Sequence, residues 1–131
     1  MAGLIGTWRC VSTENTEALL NEYGVEREKM EELLGKKQKL IISMPDSTHI
    51  HIRTEGDPHA IECAFDEEFE MHDPAGKIHK CIMRKESDMC IFAEEPTEPM
   101  GIRMTFELHI SVLHVTTVLG SVTSVSKFFH F

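Results

Sequence analysis

No stretch of this 131-residue chain approaches the roughly 20 consecutive apolar residues that a membrane-spanning helix requires. Basic residues are scarce: 13 Lys and Arg stand against 22 Asp and Glu, a formal net charge of −9. Such a surface repels a phosphate backbone, which argues against nucleic acid as a partner. The first residues, Met1 to Trp8, carry no charged segment and no sustained apolar run, so no export signal is read there. Ala2 follows Met1 where N-myristoylation needs glycine. The four cysteines, Cys10, Cys63, Cys81 and Cys90, form no CxxC pair and no zinc-like spacing. They read as reduced thiols of a cytoplasmic protein. The chain also lacks GxSxG, the phosphate-binding loop, GxGxxG and any cysteine with an assignable histidine partner. Glu67 and Glu68 read as a solvated turn edge, so no catalytic residue and no enzyme activity is expected. Repeats and low-complexity segments are missing too.

What is present is a change of periodicity. Residues 6–12 read as a strand with Trp8 and Cys10 on one face. Ser12 and Thr13 then precede a helical stretch in which Leu19, Leu20 and Tyr23 recur at helix spacing, stopped by Gly24. A second helix is predicted over about 26–34, with Met30, Leu33 and Leu34 as its apolar stripe and Gly35 at its end. From Lys39 onward the pattern alternates with period two. Strands are predicted near 40–42, 49–54, 60–65, 68–72, 77–84, 89–93, 101–109, 112–119 and 122–130. Turn signals recur every 8–12 residues or so, as in a meandering all-β sandwich or barrel.

A barrel closes its sheet and leaves no open edge. One of about ten strands has an interior larger than its own side chains fill. The two helices would cap one end. A sandwich with a helical appendage gives the same pattern. Face assignments follow from the alternation. Met104, Phe106 and Leu108 point inward, because the opposite register would bury Arg103, Glu107 and His109. Leu113, Val115 and Thr117 share that face, as do Ile50, Ile52 and Thr54. Met83, Met89 and Met104 read as wall residues. His49 and His51 lie two apart on one strand face, which is half a metal site with no third ligand, so neither a metal nor a cofactor is expected. His72 and His79, flanking a turn, read in the same way as solvated outer-face histidines.

The run Gly6-Thr-Trp8, Glu14-Asn15, Leu19-Leu20 and Gly24-Val25 resembles the opening of the intracellular lipid-binding proteins, the fatty acid-binding and retinoid-binding family. Ile41-Ile42-Ser43, Glu68-Phe69-Glu70 and Gly120-Ser-Val-Thr-Ser124 match it in order and spacing, so the resemblance covers the whole chain. It implies one domain over 1–131: an all-β, up-and-down antiparallel β-barrel of about ten strands, capped by a helix-turn-helix at about 14–36. It further implies non-catalytic binding and transport of a hydrophobic ligand (fatty acid, retinoid or neutral lipid) in the cytoplasm. The lid would be formed by Leu20, Met30 and Leu33, the lining by Thr54, Met104, Val115 and Thr117.

Thr16 and Cys10 depart mildly from the family pattern. The head-group positions depart more. In the family two strand arginines and a tyrosine commonly hold the carboxylate; the matching positions here are Phe106, Ser126 and Phe128. A buried carboxylate must be paired or hydrogen-bonded, and two phenyl rings and one hydroxyl offer little. The expectation is an apolar container without the deep carboxylate anchor. The alternative is an interaction or structural protein on the same barrel. The chain is expected to be a monomer, with Phe129 and Phe131 as outward aromatics suited to a dimer contact. Transient membrane contact would run through Lys29, Lys36, Lys37 and Lys39.

Overall fold

The computed structural model describes residues 3–35, 38–96 and 101–131. Strand β1 (Gly6–Glu14) leads into helices α1 (Thr16–Tyr23) and α2 (Arg27–Leu34). Nine strands follow: β2 (Lys39–Asp46), β3 (His49–Thr54), β4 (Ile61–Ala64), β5 (Glu68–His72), β6 (Ile78–Ser87), β7 (Cys90–Glu94), β8 (Arg103–His109), β9 (Val112–Leu119) and β10 (Val122–His130). All ten strands join one sheet in the order β4-β3-β2-β1-β10-β9-β8-β7-β6-β5, with antiparallel pairs throughout. The sheet curls into a nearly closed barrel. The first strand pairs the last, with Trp8 opposite His130 and Cys10 opposite Phe128.

The expectation of a sheet without open edges is corrected here. β4 and β5 are the two ends of the sheet, and no ladder joins them. The connection between them gives its N–H groups elsewhere: Phe65 to the Thr48 carbonyl and Asp66, in left-handed conformation, to that of Met83. From inside, Ile61, Phe65 and Phe69 pack against the core beside the gap. From outside, the His59 and His72 rings stack with centroids 3.9 Å apart.

The strand continues to Glu14, two residues beyond its predicted end at residue 12. Asn15 takes the left-handed N-cap position and donates through Nδ2 to the Thr123 carbonyl at 3.1 Å, so a side chain ties α1 to β10. Gly24, at φ 85°, ends α1 as a left-handed cap in which a Cβ would be strained. α1 buries Leu19 and Leu20, whereas α2 buries no residue and packs on α1. The alternating burial in the strands defines the inside. Trp8, Ile42, Ile50, Ile91, Phe106, Leu113 and Phe128 fill the half of the barrel away from the helices. Each such side chain contributes about 1.5–3 kcal/mol on burial. The buried Trp8 indole donates to the Leu4 carbonyl at 3.0 Å, which removes the cost of an orphaned N–H. Met71, Cys81 and Ile102 form a smaller cluster nearer the helices, with Tyr23 of α1 against it.

Candidate functional site: the barrel interior

Strand registers stack the inward side chains in rows. One row runs Phe106–Val115–Ser126 across β8, β9 and β10. The next runs Leu108–Leu113–Phe128 and continues to Cys10 on β1. Phe106 and Phe128 are buried; Val115 and Ser126 are half-buried. The three positions that the family resemblance marks for a carboxylate therefore share one region of the interior. Two phenyl rings and a hydroxyl occupy it. Nearer the helices, Met83, Ala93, Met104, Thr117 and Ser124 form a row of their own. Thr117 is buried and Met104 half-buried. Ser124 is closed off by its bond to the Glu14 carbonyl at 3.0 Å.

The remaining candidates are more dispersed. Thr54 is half-buried at the C-terminal end of β3, opposite Leu40. Leu20 is buried on the inner side of α1. Met30 and Leu33 are half-buried on α2. Met30 lines a groove of about 650 Å³ between the helices, together with Asn15, Thr16, Ala18, Asn21 and Val25. Exposed Asn15, Ala18 and Asn21 make this groove a surface feature, apart from the rows beneath.

At the end nearer the helices the interior holds a charged cluster that the sequence reading passed over. His79 is only 5% exposed, so its reading as a solvated outer-face histidine is corrected. It lies on the inward face of β6 in step with Cys81 and Met83. Asp73 continues the inward phase of Phe69 and Met71, and Glu95 that of Ile91 and Ala93. The three meet where these rows end. His79 Nε2 lies 2.7 Å from Asp73 Oδ2, and His79 Nδ1 lies 3.1 Å from both Glu95 oxygens. Side-chain exposures are 2% for Asp73, 6% for His79 and 10% for Glu95. Asp73 Oδ1 also accepts the Ala75 and Lys77 N–H groups at 2.8 and 3.0 Å, and Glu95 Oε1 accepts that of Ile102 at 3.3 Å. The cluster thus ties the 73–77 turn to the start of β8.

A neutral imidazole donates from one nitrogen only. Two carboxylates, one at each nitrogen, require both to carry protons, so His79 is an imidazolium. Burial works against that charge, but the hydrogen bonds and charges of Asp73 and Glu95 outweigh it and raise the His79 pKa above 6.5. The Tyr23 ring lies 6.4 Å from that of His79, and its hydroxyl pKa is raised by burial, then by the negative charge of Asp73. Burial, with help from Glu95, pushes the Cys81 thiol up to about 12. The one sequence signal for the burial of His79 is its strand phase, two residues from Cys81 and four from Met83, which the adjacent turn masks.

Among the described residues no group of three His, Cys, Asp or Glu side chains is arranged to hold an ion. His49 is engaged with Asp46, at 2.9 Å, and with Thr48. Met89, expected as wall, is 47% exposed in the turn between β6 and β7. Lys36 and Lys37, named for membrane contact, lie outside the described residues. No described helix is long and apolar enough to cross a membrane.

The ten-stranded antiparallel barrel with two helices after its first strand is the fold of the fatty acid-binding proteins. A fatty acid-binding protein of Schistosoma mansoni, solved in complex with arachidonic acid, is similar with a TM-score of 0.86 at 16% identity, over 100% of this chain and 98% of that one. Lipid binding protein 8 of Caenorhabditis elegans is similar with a TM-score of 0.85 at 20% identity, over 98% and 96%. Fatty-acid-binding protein 1 of Echinococcus granulosus gives 0.84 at 17%, over 98% and 97%. No family model matches the sequence, and no curated protein does.

Proposed function

We propose that this chain is a divergent intracellular lipid-binding protein: one binding barrel over residues 1–131 that carries a hydrophobic ligand through the cytoplasm without acting on it. The observation that carries this reading is the apolar inward lining under a lightly held lid. Phe106, Val115, Phe128, Met104 and Thr117 face the interior, while α2 buries none of its residues. An enclosed apolar lining holds lipid chains that water disfavours. A helix without buried anchors opens at low cost, which exchange of ligand needs. Leu20, Met30 and Leu33 form the lid contacts in this reading, Thr54 lines the lid end, and Ser126 supplies a neutral hydroxyl rather than a carboxylate anchor. The similar Schistosoma protein was solved with arachidonic acid, which supports a lipid as the ligand class.

A second reading keeps the barrel as an interaction module without lipid. Phe129 and Phe131, 44% and 66% exposed, favour it. Arg9 lies over the first ring at 5.9 Å and Lys39 over the second at 5.0 Å. Displacement of an environment-sensitive fluorescent lipid, run beside native mass spectrometry of freshly purified protein, separates the two. The carrier reading expects a co-purified lipid mass or displacement by long-chain competitors. Neither signal with any fatty acid, retinoid or monoacylglycerol would leave only the interaction module.

A further inference from the structure

The charges inside this barrel are distributed unevenly. The half away from the helices is lined by Phe106, Phe128 and their apolar neighbours. The buried charges of the described residues sit at the lid end, in Asp73, His79 and Glu95. One imidazolium between two carboxylates leaves that cluster with a net charge of about −1. Its single cation is already shared by both carboxylates, and no lysine or arginine of the described residues is buried. A fatty-acid carboxylate inside the barrel therefore meets phenyl rings at one end and net negative charge at the other. Burying it unpaired is costly at the first and repulsive at the second. A head group with N–H or O–H donors faces neither penalty, because carboxylate oxygens accept several hydrogen bonds each.

We infer that the interior selects its lipid by head-group charge: it takes single-chain lipids whose head donates hydrogen bonds and carries no negative charge, long-chain alcohols and amines, with the head at the lid end beside Glu95 and Tyr23. Fatty-acid carboxylates are disfavoured. This rests on the lipid-carrier reading above and gives Asp73 and Glu95 the role of specificity determinants.

Competition against an uncharged fluorescent lipid, with hexadecanol, hexadecylamine and palmitate as chain-matched competitors of the full chain, tests the inference. At an effective dielectric near 20, even a unit charge about 12 Å from the ligand carboxylate changes binding about tenfold, and a nearer one more. Hexadecanol and hexadecylamine should accordingly displace the probe at concentrations about tenfold below palmitate, or lower still. Glu95→Gln keeps an acceptor for His79 and neutralises the cluster. It should narrow the gap between palmitate and hexadecanol about tenfold. Glu28→Gln, the same charge change at an exposed site on α2, should leave that gap in place. Thermal melts of both variants check folding, and the ranking by the unmutated chain decides even if Glu95→Gln does not fold. Palmitate binding as tightly as hexadecanol overturns the inference and leaves the carrier reading standing. Displacement by none of the three overturns the inference, and absence of binding by the fluorescent lipid itself overturns the carrier reading as well. An unchanged ratio in a folded Glu95→Gln overturns the assignment to this cluster.

Discussion

Replacing His79 with leucine should cost this protein about 3–5 kcal/mol, because it strands two carboxylates in the interior with their shared cation gone. The geometry sets that size. Asp73 is 2% and Glu95 10% exposed, so water cannot replace the imidazolium. Each loses a charge-assisted hydrogen bond, of 2.7 Å and 3.1 Å respectively. Leucine fills the volume, so little of the loss is cavity formation. With an unfolding entropy of about 2.1 cal/mol/K per residue, the melting temperature should fall by roughly 11–18 °C. The effect has a pH signature with a definite sign. His79 binds its proton more tightly folded than unfolded. Its stabilisation is therefore complete below about pH 6.5 and is lost as the pH rises through the raised folded value. Urea denaturation of both proteins at about pH 6 and about pH 9 should show the larger gap at the lower pH. Adding Glu95→Leu to the leucine variant should recover part of the loss, since one stranded charge is removed. A gap under about 1 kcal/mol near pH 6, or an equal gap at both pH values, would refute the doubly bonded imidazolium.

Three further outcomes are expected. Ser126→Arg combined with Phe128→Tyr supplies donors at the lining positions and should tighten palmitate relative to hexadecanol about tenfold in the same competition assay. Replacing Ile110 with asparagine should raise stability by up to about 1 kcal/mol in urea titration. Ile110 sits at φ 60° in the turn between β8 and β9 and is 99% exposed, so the branched side chain gains nothing from packing. Burial holds the thiols of Cys63 and Cys81 at about 11 and about 12, and burial with Glu86 and Glu107 holds Cys90 at about 11. In the native protein these three should resist a thiol reagent at about pH 8, half-buried Cys10 reacting first, and all four should react on denaturation.

The face of each strand was legible because a one-residue slip moves every side chain to the other side of the sheet. Thus Phe106 at 2% and Leu113 at 0% exposure follow from reading Arg103, Glu107 and His114 as outer residues. Both helices were legible from Leu19, Leu20, Met30 and Leu33, with glycines as their stops. The start of α1 was not. Ser12 and Thr13 are good capping types, but pairing with β10 through Glu14 won over local propensity and moved the cap to Asn15. The gap between β4 and β5 was hidden as well, since alternation says which way a side chain points and not whether its backbone has a neighbour. The charged cluster escaped for a different reason. Asp73, His79 and Glu95 are polar residues beside turns, where solvation is the ordinary outcome, and their burial depends on two separate hairpins, β5–β6 and β7–β8, converging. Only Cys81 and Met83, in phase with His79, pointed inward in advance.

The seam between β1 and β10 has a consequence for how the chain comes to be folded at all. Ser124 bonds the Glu14 carbonyl across 110 residues of sequence, and Asn15 reaches Thr123 across 108. Contacts this distant must overcome a large loop-closure entropy before they return any stabilisation. During synthesis β1 and the helices leave the ribosome long before their partner strand exists. Trp8 and Leu20, buried in the finished barrel, must then wait without a sheet to cover them. The ladder that completes the barrel belongs to its slowest and most exposed stage, and nascent chains are open to chaperones and to aggregation until β10 arrives.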